Sequence, residues 1–161
     1  TEAEMKAWYA NNPSIRYSNI IIDVRPGATP EQKDEARKRA KEIFAEVKAS
    51  KRPFEELVRL YSDDTLSKQF GGDAGLQSSL TVMPQVYAAA KAAKIGEIVG
   101  PVETLFGFHI MKITARATFE QANRVQIRQA VFNEKRKKLL DNFFASLKKQ
   151  YPVKTNLSLI K

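Results

Sequence analysis

The sequence predicts an α+β fold, a sheet with helices packed against it, with a helical element built from the two chain ends. Three observations predict it. Ile15 to Val24 is rich in β-branched residues and closes at Arg25-Pro26-Gly27, so it reads as a largely buried strand. Two amphipathic helical patterns follow, opening at Thr29 and Pro53. Two more strand-like runs, 99–104 and 108–114, are joined through Leu105-Phe106-Gly107 as a hairpin.

At the start, TEAEMKAWYANN places Met5, Trp8 and Tyr9 at helical spacing, and Asn-Asn-Pro ends the segment. A helix this short needs a packing partner, because isolated helices below roughly 12–15 residues are marginal in water. After the first strand, Thr29-Pro30-Glu31-Gln32 combines an N-cap, a proline at the first helical position and a glutamine three after the cap. Ala36, Ala40, Ile43, Phe44 and Val47 then form one apolar stripe. The second helix buries Phe54, Leu57, Val58, Leu60 and Tyr61 and ends near Ser62. Residues 63–81 read as a loop, since Gly71-Gly72-Asp73-Ala74-Gly75 is too glycine-dense for a helix. A short alanine-rich helix is expected over 84–93, stopped by Gly96. Thr118-Phe119-Glu120-Gln121 reads as a second capping box, opening a helix to about Tyr151 with Leu140, Phe143, Leu147 and Tyr151 on one stripe. Pro152 ends it, and VKTNLSLI alternates enough for a short edge strand.

The chain has no cysteine and a single histidine, His109, which excludes disulfides, thiolate chemistry and multi-histidine metal sites. No metal site and no cofactor is expected. No apolar run approaches the roughly 20 residues a membrane-spanning helix needs, and no signal peptide is visible. The net charge of +9 is concentrated in residues 115–161, which hold 11 Lys and Arg against 3 Asp and Glu. A basic field of this kind attracts nucleic acid, anionic lipid or acidic protein alike. The KRKK run at 135–138 lacks the interleaved aromatics of a nucleic-acid surface, so specific nucleic-acid binding is not expected.

The segments IRYSNIII, FEELVRLYSDD, GGDAG, IGEIVGPVET and FGFHIMKI, in this order over residues 15–114, resemble the parvulin family of prolyl isomerases. The resemblance implies a four-stranded, mostly antiparallel sheet. Together with the flanking helical segments it extends to extracytoplasmic foldases of the SurA and PrsA kind. Three regions are then expected: residues 1–14 as a helical fragment of a chaperone module, 15–114 as the parvulin-like domain, and 115–161 as a long basic amphipathic helix with a short strand.

Carried over position by position, the resemblance implies a catalytic set of Asn19, Asp64, Thr104 and His109, with Asn19 standing where the family has a first-strand histidine. Asparagine can donate and accept but cannot change charge or tautomer as imidazole does. The implied substrate-binding set is Ala74, Val82, Met83, Val86, Tyr87 and Phe108. Aligned without gaps, Val82 and Val86 replace the family's Met and Phe; a slide of one residue instead offers Met83 and Tyr87. Ala74, Val82 and Val86 are smaller than the family's residues, which predicts a shallow proline pocket and weak isomerase activity. By residue type alone, Asp63 and Asp64 also suit capping the end of the second helix, and 82–87 suits the core face of the third helix.

The implied function is that of a foldase assisting exported proteins, periplasmic or otherwise extracytoplasmic, acting on unfolded or X-Pro-containing polypeptides. The alternative is a catalytically silent peptide-binding chaperone or scaffold on the same fold. A homodimer through the terminal helices is a further expectation, since their apolar stripes exceed what the short first helix can cover.

Overall fold

A computed structural model describes residues 1–151. The expected strand at 153–160 lies outside the described residues. The elements run α1 (Glu2–Asn11), β1 (Ile15–Asp23), α2 (Pro30–Ala49), α3 (Phe54–Tyr61), α4 (Thr65–Lys68), β2 (Asp73–Gln77), α5 (Pro84–Ala92), β3 (Ile98–Thr104), β4 (Gly107–Arg116) and α6 (Arg124–Gln150). The four strands form one antiparallel sheet in the order β2-β1-β4-β3. The α+β architecture predicted from the sequence is the one observed.

The described residues divide into two units, Asn11–Ala122 and a helical unit made of Thr1–Ala10 with the described residues from Asn123 to Tyr151. In the first, the sheet is covered on both faces. Ile20 and Ile22 of β1 and Phe108 and Ile110 of β4 pack with Ala40, Ile43, Val47, Phe54, Leu57 and Val58 of α2 and α3. The alternate residues Tyr17, Met111 and Ile113 pack with Val86, Tyr87 and Ala90 of α5. This is the period of two in action: neighbours along a strand serve opposite layers. The long apolar run of β1, read as a buried strand, is buried because both its faces are covered.

The short α4, the strand β2 and the start of the long helix depart from the sequence reading. Residues 63–81 are not all loop. Asp64 caps the short α4, and Asp73–Gln77 forms β2, an edge strand whose pairing with β1 shifts register between Arg16 and Ser18. A glycine-rich edge strand with one irregular pairing gives no alternating signal. Thr118 opens only a single 3-10 turn, Phe119–Gln121, and the long helix starts afresh at Arg124 under an Asn123 cap that accepts from the Gln126 amide at 3.1 Å. By contrast, the Thr29 capping box forms as expected, its amide donating to Gln32 Oε1 at 2.9 Å and its hydroxyl accepting from Gln32 N at 3.3 Å.

In the helical unit, Trp8 Nε1 donates to Glu134 Oε1 at 2.7 Å, and Lys135 pairs with Glu4. α1 therefore lies along the Glu134–Lys135 part of α6. Farther along α6, Leu139, Leu140, Phe143 and Phe144 are exposed. Among the described residues no helix is long and apolar enough to cross a membrane.

Candidate active site

The site is built on the two central strands, on the face covered by α5. His109 is buried on β4. Its Nδ1 lies 3.0 Å from Asn19 Nδ2 on β1, and its Nε2 lies 2.9 Å from the Thr104 hydroxyl at the end of β3. One arrangement of protons satisfies both imidazole nitrogens and the Thr104 hydroxyl. Asn19 Nδ2 donates to Nδ1, so the neutral imidazole carries its proton on Nε2 and donates it to Thr104 Oγ1. That oxygen also accepts from the Phe106 amide at 3.2 Å, and its own hydrogen goes to Gly107 O at 3.2 Å. Burial lowers the His109 pKa below the ordinary histidine value, which favours this neutral form. Asn19 Oδ1 is buried without a partner among the described residues.

Two glycines lock the backbone behind these side chains. At Gly72 (φ +74°) an added Cβ would stand 2.4 Å from Asn19 O, and the Asn19 amide donates to Gly72 O at 2.9 Å. At Gly100 a Cβ would stand 2.6 Å from His109 O. Glycine is required at both because backbones approach closer than any side chain permits. The Asp of the GGD motif is structural: Asp73 Oδ1 accepts from Arg16 Nε and from the Gly75 amide, each at 3.0 Å.

Asp64, expected in the catalytic network, does not join it. Its carboxylate accepts from the amides of Leu66 at 3.1 Å and Ser67 at 3.4 Å and from the Ser67 hydroxyl, and it makes no hydrogen bond to Asn19 or His109. Its side chain is consumed in capping the start of α4, a helix not expected from the sequence. Phe108, expected at the substrate, is also corrected. It faces the α2–α3 layer, with the Arg37 guanidinium 5.9 Å from its ring centre, while its neighbour His109 faces the other way.

The other expected pocket residues gather on α5, on the turn that leads into it and on β2. Val86 and Tyr87 are buried in the α5-side layer, and Ala74, Val82 and Met83 are partly buried against it. Both candidate pairs thus border the same layer. They differ in engagement, because the Tyr87 hydroxyl donates to Pro13 O at 2.8 Å. Sequence reading missed this tie, and it missed Ser62, whose hydroxyl accepts from the Ile21 amide at 3.1 Å and anchors the end of α3 to β1. Neither bond leaves a periodic signal, since each joins segments dozens of residues apart. Among the described residues no cluster of three His, Asp or Glu side chains is placed to hold a metal ion.

Comparison with known proteins gives the same assignment. Residues 20–115 match the family profile of the PPIC-type PPIase domain, also described as rotamase. The foldase protein PrsA of Geobacillus kaustophilus is 34% identical over 140 residues, covering 86% of this chain and 45% of the relative. The chaperone SurA of Bordetella avium is 30% identical over 119 residues, covering 72% of this chain and 23% of the relative. The chain thus spans less than half the length of these two relatives. A crystal structure of the peptidylprolyl isomerase PrsA from Bacillus anthracis superposes with a TM-score of 0.58 at 32% identity, over 97% of this chain and 67% of that one. With the family's fold, its last-strand histidine and its profile over most of the Asn11–Ala122 unit, the chain belongs to the PPIC-type peptidyl-prolyl isomerase family.

Proposed function

We propose that the chain is the isomerase-bearing part of an extracytoplasmic foldase, a parvulin-type peptidyl-prolyl cis–trans isomerase of weak activity that assists exported proteins. Its substrates are unfolded or X-Pro-containing polypeptides. The observation that carries this reading is the Asn19–His109–Thr104 hydrogen-bonded floor under α5. Rotation about an X-Pro bond meets a barrier of about 18–20 kcal/mol from C–N resonance and breaks no covalent bond. A catalyst needs an apolar site for the ring, exclusion of the water that stabilises the planar amide, and fixed hydrogen-bonding groups. A neutral, buried imidazole held by two partners is such a group, and no metal or acid–base pair is called for. The extracytoplasmic location is inferred from the PrsA and SurA relatives.

The second reading, a silent peptide-binding chaperone, is favoured by the small side chains at Ala74, Val82 and Val86 and by Asn19. A protease-free measurement of cis–trans exchange on peptides varied at the residue before proline decides between them. Under the first reading the wild-type chain accelerates exchange measurably and His109→Ala abolishes the acceleration. Peptide binding with no acceleration selects the second.

A further inference from the structure

α5, with the turn that leads into it, carries most of the apolar residues assigned to the proline site, yet at nine residues the helix is too short to hold its own shape or place. Its N-terminus has no side-chain cap. Its position is fixed from outside. The last carbonyls of a helix have no donor within it, and here Arg116 of β4 supplies one. Arg116 Nη2 donates to Ala93 O at 2.6 Å, Lys91 O at 2.8 Å and Ala90 O at 3.2 Å. Its cation also faces the negative end of the helix dipole. From the helix itself, the Tyr87 hydroxyl reaches Pro13 O at 2.8 Å and Lys91 Nζ reaches Asn11 O at 2.6 Å.

These outside anchors belong to one structure. Residues 11–14 lead into β1 and Arg116 ends β4. The two segments are joined by the Ile15–Arg116 strand pair and by the Ala117 amide donating to Ser14 O at 2.9 Å. The helix over the site is therefore bolted to the far ends of the same two strands that carry Asn19 and His109, and Arg116 makes three of the five bonds.

We propose that Arg116 is a positioning residue for the proline site, setting the distance of Val82, Val86 and Tyr87 from the His109 floor by holding the end of α5. The functional half of this inference rests on the reading of that layer as the substrate site. Without the guanidinium, three carbonyls lose a charged donor and the last turn of α5 frays. The pocket wall then loosens while the sheet stays intact.

The test compares Arg116→Ala, Arg116→Lys and Tyr87→Phe in the full chain by residue-resolved amide hydrogen exchange and by X-Pro peptide titration. Arg116→Ala should lower protection of the 88–92 amides by roughly tenfold, the loss expected for hydrogen bonds to a charged group, leaving the central amides of Ile20 and Ile110 unchanged. Lysine should recover part of the loss, since it keeps the charge without the fork. Tyr87→Phe should loosen the first turns instead. In the isomerase assay Arg116→Ala should raise KM several-fold with little change in kcat. Unchanged protection in α5, or a loss spread evenly over the sheet, overturns the proposal. If the wild-type chain accelerates no exchange, the isomerase reading fails, and the protection pattern with the peptide Kd still decides the role of Arg116.

Discussion

Asn19 and His109 hydrogen-bond at 3.0 Å although they are not opposite one another in the sheet: Asn19 stands across from Met111 and His109 across from Ile21. The contact is diagonal, and it closes because both residues point to the α5 side of adjacent antiparallel strands. Replacing Asn19 with alanine strips Nδ1 of its partner inside a buried layer. Leaving a buried acceptor unmade costs about 1–3 kcal/mol. Urea denaturation of Asn19→Ala should show a loss of that order with an unchanged slope, and a midpoint equal to wild type would mean that the bond contributes nothing.

How much of this was legible beforehand differs by residue. The sheet's centre was, because Ile15–Val24 carries dense β-branched sequence and 108–113 is a short, mostly apolar run, and both segments have residues buried in the two layers. His109, Asn19 and Thr104 meet where the family likeness implied. Asp64 was misplaced because an aspartate ahead of Thr65-Leu66-Ser67 serves local amides first, and proximity in sequence outcompetes a distant imidazole. Phe108 was misplaced by parity alone: one position along a strand exchanges one sheet face for the other. The bonds of Arg116 and the edge strand β2 depend on tertiary closure and have no local pattern.

A single histidine makes the pH dependence clean. Burial lowers the His109 pKa in the folded chain, while the unfolded chain titrates near the ordinary value of about 6.5. Below that pH the unfolded state takes up a proton that the folded state refuses, so the unfolded state is stabilised relative to the folded one. The contribution of His109 is fully present above about pH 6.5 and falls as pH drops towards the lower folded value, with a slope of at most about 1.4 kcal/mol per pH unit. Imidazole NMR should give one titration shifted downward. A midpoint at or above the unfolded value would contradict the neutral network.

The two glycines with positive φ at 72 and 27 separate crowding from backbone preference. Gly27 has φ +84° with nothing within 4 Å of an added Cβ, whereas at Gly72 the Cβ would meet Asn19 O. Gly27→Ala should cost only the left-handed penalty of about 1–2 kcal/mol. Gly72→Ala adds a backbone collision, so it should cost at least about 2 kcal/mol more than Gly27→Ala and should shift the His109 resonance. Equal losses would show that the Gly72 approach relaxes freely.

Enlarging the pocket residues should split by burial. Val86 is packed in the α5-side layer, so Val86→Phe should overpack it and cost about 1–3 kcal/mol. Val82 is only partly buried, and Val82→Met adds apolar surface where a proline ring would sit. At about 0.8 kcal/mol per buried CH₂, a gain of roughly fourfold in catalysed exchange is expected. A drop in rate with Val82→Met would move the pocket to the Met83 and Tyr87 pair.

The exposed end of α6 bears on client binding. Phe143 and Phe144 stand with ring centres 5.9 Å apart, beside Leu139 and Leu140, all four exposed. The helix also carries Lys135, Arg136, Lys137, Lys138, Lys148 and Lys149 around them. Apolar rings framed by cations suit an unfolded segment that mixes apolar and acidic residues. Because these side chains pack on little, Phe143→Ser with Phe144→Ser should leave the unfolding midpoint within about 0.5 kcal/mol of wild type. The same change should reduce suppression of aggregation of an acidic unfolded test protein. Raising salt from about 0.1 M to about 1 M should weaken the wild-type effect as the screening length shrinks from about 10 Å to about 3 Å. If light scattering instead finds a wild-type dimer that the double substitution turns into monomer, the patch pairs with a second copy of the chain. Unchanged suppression by a monomeric variant would remove the patch from either role.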